Sequence, residues 1–229
     1  MGTHMAKRAS KATSSSARHL AVDRLAALTD GVFAIAITLL SLDVVVPTIR
    51  DAASGSDLID ALIDQWPSYL AYTVTFFLIG AYWINHHRMF NLLRGVNHTF
   101  LILNIFFLMA IAIIPFPNAF LAEYGRDVNL RGVAAAVYGL AMAALAVMFN
   151  LVWWYAGWNM RLFDPACDPD RVRKVLNSYL AGPIAYGLAV AITPVAPSVS
   201  IAVYLLIPMG YLFEGPIGGI EAGYLTGRS

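Results

Sequence analysis

Residues 24–47 read RLAALTDGVFAIAITLLSLDVVVP, and the whole chain is understood from them. The stretch is apolar enough to cross a bilayer, yet it carries an ionisable pair near its start, Arg24 and Asp30, and a hydroxyl at its middle, Thr38. A charge inside a membrane span costs several kcal/mol unless it faces protein or water, so such residues mark a working helix. At about 100° per residue, Leu28, Gly31, Ile35, Thr38 and Leu42 fall on one stripe, with Leu39 at its edge. Ile35 and Leu42 are separated by roughly 10.5 Å of helix rise. One face therefore offers apolar side chains with a hydroxyl between them.

Working outward, five more apolar segments approach the roughly 20 residues needed to cross a bilayer core. With the first at residues 25–46, they lie at 69–90, 100–120, 133–155, 176–194 and 199–213. The second ends in Trp83, Asn85, His86, His87 and Arg88, and the third contains Asn104 and the break Pro115-Phe-Pro117. Trp153, Trp154, Tyr155 and Trp158 close the fourth as an aromatic belt. An acidic loop, TIRDAASGSDLIDALIDQW, follows the first segment and is too polar to cross. The expected fold is an all-α integral membrane protein of six transmembrane helices, spanning residues 23–214. Residues 1–22 are expected to be a mobile cytoplasmic tail opening on an expression scar, MGTHM, and 215–229 a second tail.

Composition agrees. Hydrophobic residues make up 59% of the 229 and charged residues 13%, with mean hydropathy +0.66, far from a soluble domain. A net charge of +1 gives no reason to expect a nucleic-acid partner. The single cysteine, Cys167, excludes an intrachain disulfide and a multi-thiolate zinc site. Of the 15 Lys and Arg, all but Arg50, Arg126 and Arg131 fall on the side of the N-terminus when six spans are threaded. The positive-inside rule then places both termini in the cytoplasm of a multi-pass plasma-membrane protein.

Arg24 and Asp30 are about 120° apart on a helix, which excludes an i,i+4 pair. Each must find partners on other helices or in a water-filled vestibule. The candidates at that depth are Asn85, His86, His87, His98 and Asn104, so a polar cluster is expected to join the base of the first helix to the second and third. His86 and His87 diverge by about 100° and cannot both ligate one metal. One is expected in the cluster and the other at the interface. For the stripe, two readings stand on the residues alone. An Ile/Leu stripe is ordinarily a packing face. Yet lipid already hides apolar groups, and Gly31, Ala34 and Ala36 permit close helix approach, so the stripe can also wall a water-filled path.

The motif Arg24-x-x-x-Leu28-Thr29-Asp30, followed by GVFAIAITLLSLDVVVP, resembles the first helix of the transmembrane protein 175 family of potassium-permeable channels. That family's pattern is Arg-x-x-x-Phe-Ser-Asp before an Ala/Ile/Leu-rich run; Leu28 replaces the Phe and Thr29 the Ser. The resemblance implies that the first helix lines a central pore, with Ile35 at an apolar constriction and Thr38 and Leu42 on the next pore-facing turns. Gly31 and Leu39 are secondary pore-facing candidates, and Arg24, Thr29 and Asp30 form a structural motif. It further implies a non-enzymatic channel assembled as a homotetramer, with membrane lipid and monovalent cations as its other partners. No cofactor or metal is implied, only permeant potassium, held weakly over sodium. The rival is a proton-coupled secondary transporter using Asp30 and a histidine relay.

Overall fold

The computed structural model describes residues 2–48 and 54–214, with side chains described over 20–48 and 54–208. Helix α1 runs over Gly2–Leu39 and tightens into a 3-10 turn at Leu40–Asp43. Then follow α2 (Gly55–Asp64), α3 (Trp66–Phe90), α4 (His98–Ala112), α5 (Pro115–Tyr124) and α6 (Arg131–Gly157). A 3-10 turn at Trp158–Met160 leads to α7 (Pro169–Ser178), α8 (Ala181–Ile192) and α9 (Pro197–Glu214).

Several boundaries differ from the expected ones for identifiable reasons. The backbone of residues 2–22 is helical and continues α1, as its alanines, lysines and arginines allow. At the other end α1 stops at Leu39, and residues 45–48 leave the helix altogether, so the first span does not run helically to Val46. The acidic loop contains a helix, α2, because Ser54 accepts a hydrogen bond from the Asp57 amide and caps it. The third span is two helices in line, since Pro115 cannot donate and starts α5 as its first residue. The fifth is also broken. Asp168 caps the amphipathic α7 by accepting from the Asp170 and Arg171 amides, and a turn at Tyr179–Leu180 precedes α8. The C-terminal segment 215–229 lies outside the described residues.

Among the described residues, four rods are long and apolar enough to cross a membrane: Leu20–Asp43, His98–Tyr124, Arg131–Met160 and Pro169–Ile192. The other two expected spans fall short on different grounds. Helix α3 has 25 residues but is diluted by polar side chains, and the apolar part of α9, Pro197–Pro208, is short.

Helix α6 is the axis of the bundle, touching α4, α5, α8 and α9, while α1 packs on α3 and α4 from one side. Within lipid no water drives apolar side chains together, so close packing has to hold the helices. Aromatic rings supply it. Trp153, Phe100, Phe107, Phe33, Tyr138, Tyr186 and Tyr204 are almost fully buried. Small residues make room for them: Gly139 on α6 receives the Tyr204 ring of α9 so closely that a Cβ there would overlap the phenol oxygen. Gly139 therefore serves packing inside the subunit.

The two ends of the bundle are tied separately. At one end the loop after α3 and the loop after α6 pair as a short antiparallel bridge, Arg94 donating its amide to Leu162 and Asp164 to Leu92. At the other, the Arg126 guanidinium donates to the Asp64 carbonyl and that of Arg131 to the Ser198 hydroxyl. Arg94 and Arg161 thus lie opposite Arg126 and Arg131. Cys167 is a buried free thiol, which burial and then the Asp164 carboxylate push above the ordinary thiol range.

Filling the Tyr204 seat tests this packing. Gly139→Ala should destabilise the protein by about 1–3 kcal/mol, seen as a lower thermal midpoint in detergent. Gly187→Ala, with nothing within 4 Å of its Cβ, should leave the midpoint unchanged or raise it.

Candidate functional site

Helix α1 has two unlike faces. Val22, Leu25, Thr29, Phe33 and Ala36 are buried on the side that meets α3 and α4, at the i, i+3, i+4 spacing of one helix side, and Leu40 continues it in the turn that meets α3 and α5. The opposite side is uncovered among the described residues. Leu28, Gly31, Thr38 and Leu39 are exposed, and Ile35 and Leu42 are 61% and 70% exposed. The stripe read from the sequence is thus the bare face, which no described residue covers. Leu28, at the family's aromatic position, belongs to this face as well.

Leu42 sits in the 3-10 turn, where residues advance by about 120° instead of 100°. From Leu39 the turn brings Leu42 a full revolution on, so it stays near the azimuth of Ile35. The hydroxyls on this side bond within the helix. Thr38 Oγ1 donates to the Ile35 carbonyl at 2.9 Å and Ser41 Oγ to the Thr38 carbonyl at 2.7 Å. Each oxygen keeps its lone pairs for whatever lies outside.

The buried polar chain behind this face runs through one amide. Asn104 Nδ2 on α4 donates to Thr29 Oγ1 at 3.2 Å, and its Oδ1 accepts from His86 Nε2 on α3 at 2.9 Å. With the amide so oriented, the proton on that His86 nitrogen points at Asn104. Thr29, His86 and Asn104 are 1%, 2% and 0% exposed. The imidazole is enclosed by rings, stacked on Phe107 and Phe90 with the Trp153 edge beside it. Phe33, one turn above Thr29, touches both His86 and Phe107.

The other residues expected in this cluster lie elsewhere. Asn85 turns toward α8, donating to the Ala81 carbonyl and accepting from the Tyr179 hydroxyl at 3.0 Å, because one residue along α3 is about 100° of rotation. His87 is exposed and stacks on Trp83. His98, the first residue of α4, is exposed at the helix start, where Asn97 makes the cap. Asp30 is exposed at the edge, where Oδ1 accepts from the Trp83 indole at 2.8 Å. Arg24 is exposed, and no ion pair among the described residues includes it. A relay from Asp30 to a histidine has no direct link here, since Asp30 is held by Trp83 and His86 by Asn104. No group of three or more metal-ligating side chains occurs among the described residues.

A second polar chain escaped the sequence reading. At the far end of α1, Asp43 Oδ2 accepts from Asn118 Nδ2 of α5 at 2.9 Å, and Asn118 Oδ1 accepts from the Thr75 hydroxyl of α3 at 2.7 Å. Thr75 also lies 3.3 Å from the Tyr138 hydroxyl of α6. The one available signal was an Asp at the apolar end of the stretch, facing an Asn just after Pro-Phe-Pro.

Asn104→Leu should leave both Thr29 and His86 short of a partner, at about 1–3 kcal/mol for each stranded group. The expected readout is a clearly lowered unfolding midpoint in detergent, whereas His87→Ala, which removes only an exposed ring, should leave it in place. Equal midpoints for the two variants would remove the amide chain from the architecture.

Residues 24–115 match the family model described as "Endosomal/lysosomal potassium channel TMEM175". A relative from Streptomyces collinus, named a potassium channel, is 42% identical over 191 residues, covering 83% of this chain and 91% of its own length. One from Chamaesiphon minutus, also named a potassium channel, is 38% identical over 184 residues, covering 80% of this chain and 90% of its own. Among solved structures, the crystal structure of a TMEM175 homolog from Chamaesiphon minutus, described as a lysosomal potassium-selective channel, superposes with a TM-score of 0.75. It is 34% identical, and the match covers 85% of this chain and 97% of that one. The family match over the first helix and the similarity along most of both chains agree: the protein belongs to the TMEM175 family, a family of channels and not of enzymes.

Proposed function

We propose that the chain forms a potassium-permeable cation channel of the plasma membrane, with four copies surrounding one pathway and α1 of each lining it. The single observation behind this reading is the bare face of α1. It combines branched apolar side chains, a hydroxyl and small residues on a helix whose other face is fully engaged. One such face cannot enclose a path, and cyclic symmetry supplies the remaining walls. Gly31 and Ala34, exposed with no neighbour within this subunit crowding Gly31, let copies of α1 approach closely. The names of the bacterial relatives support the ion.

In this arrangement Ile35 forms the constriction. A ring of branched side chains strips part of an ion's hydration shell or dewets, and either makes entry costly. Potassium gives up water more cheaply than sodium, so the ring favours potassium modestly. Thr38, one turn on, offers hydroxyl oxygens that replace lost water, and Leu42 repeats the apolar lining. No Thr-Val-Gly-Tyr-Gly carbonyl filter occurs in the sequence, so discrimination is weaker than a carbonyl cage gives. Both termini are placed in the cytoplasm. Asp57, Asp60 and Asp64 on α2 then face the outer side, where their potential concentrates cations near the entrance.

Ile35→Asn is the decisive variant. In a planar bilayer with potassium on one side and sodium on the other, the substitution should raise unitary conductance several-fold. It should also move the reversal potential toward zero, while size-exclusion chromatography still reports the assembled oligomer. Unchanged permeation in an intact oligomer would remove Ile35 from the pathway.

A further inference from the structure

Two cavities on the outer side of the bundle, away from α1, join into one groove between the end of α6 and the α7–α8 pair. The first, about 600 Å³, is walled by apolar side chains that include Leu151, Leu180 and Ile184. The second, about 390 Å³, is bounded by Trp158, Val172 and Arg173. Trp154, Leu176 and Asn177 line both, so the two are one depression. Together they match the size range of small-ligand sites.

The groove is graded along its length. From Gly157 back to Val147 along α6, roughly 15 Å of helix rise, and from Leu176 at the end of α7 forward to Ile184 on α8, it passes from the aromatic end of the span toward the bilayer middle. At its outer end stand the Trp154–Trp158 pair, with rings 4.6 Å apart, and the exposed Arg173. Indoles of this kind sit at headgroup level. Arg173 is the one charged side chain among the described lining residues. The neighbouring Arg171 is engaged by Asp168 at 3.4 Å, and Lys174 is exposed beside it. A cationic, indole-rich mouth above an apolar channel of acyl-chain length is complementary to an amphiphile with a negative headgroup.

We infer that this groove binds one anionic phospholipid of the leaflet on the side of the Arg161–Lys174 loop. Its phosphate lies at Arg173, the Asn177 amide meets the glycerol region, and one acyl chain lies along Leu180 and Ile184. The inference requires only that the chain sits in a membrane, and it stands or falls separately from the pathway along α1.

The test is native mass spectrometry of the purified full-length protein in detergent, titrated with phosphatidylglycerol and with phosphatidylcholine of the same acyl chains. One cation beside the headgroup predicts about a fivefold preference for phosphatidylglycerol. Arg173→Gln should abolish the preference, Arg173→Lys should retain it, and Ile184→Trp, which fills the apolar part, should weaken both lipids. Equal binding of the two lipids by the unsubstituted protein overturns the inference. So does a preference that persists in Arg173→Gln, which would place the anionic lipid elsewhere. Efficient disulfide formation between copies carrying Ile184→Cys also overturns it, since the groove would then face a second subunit.

Discussion

The hydrogen bonds of one amide set the rotation of α1. A polar group inside a bilayer has no water to turn to, so the Asn104 side chain must be satisfied by protein. It takes Thr29 with one end and His86 with the other. Turning α1 by a single residue, about 100°, would carry the Thr29 hydroxyl out of reach and swing Leu28 or the Asp30 carboxylate toward the aromatic rings around His86. The bare face is therefore a consequence of the buried one. What Ile35 and Leu42 confront outside the subunit is decided by Thr29 and Phe33 inside it.

A helix held at one depth can still splay, and the second polar chain opposes that. Asp43, Asn118, Thr75 and the Tyr138 hydroxyl join the end of α1 to α5, α3 and α6. The carboxylate there accepts from a neutral amide, and no ion pair among the described residues includes it. Between the two pins the buried side of the helix, Phe33, Ala36 and Leu40, is apolar. Both polar chains use Asn as the hinge, because its amide both donates and accepts and can pass polarity from one helix to the next.

The sequence made the apolar rods and the stripe legible because both depend on composition and a 3.6-residue period, which are local properties. The depth of the polar cluster was legible too, from where the Asn and His residues fall along the spans. Its membership was not. His86 and His87 are equivalent by composition, and only the packing of α3 against Phe107 decides between them. Asn85 went to Tyr179, and the partners of Asp43 lie 75 residues or less along the chain yet on other helices. Contacts of that kind leave no periodic trace. The α2 helix was concealed by its acidic composition, although Ser54 followed by Asp57 is a cap signal. The broken fifth rod was concealed because α7 is polar and only α8 carries the apolar run of a span.

The tightening of α1 beyond Leu39 bears on what kind of selectivity its open face can support. An α-helix consumes its own carbonyls in the backbone ladder, so it offers a passing ion little oxygen. Here Thr38 and Ser41 donate their hydroxyl protons to carbonyls three residues back, which turns oxygen lone pairs, not protons, toward the outside. A cation beside this face meets acceptors. An anion meets neither donors nor positive charge, and the nearest cation on the helix, Arg24, lies more than two turns below Ile35. If this face lines the path, charge selection comes from hydroxyl orientation and the weaker choice between potassium and sodium comes from dehydration at Ile35. The two are then separable in principle, because they rest on side chains on successive turns.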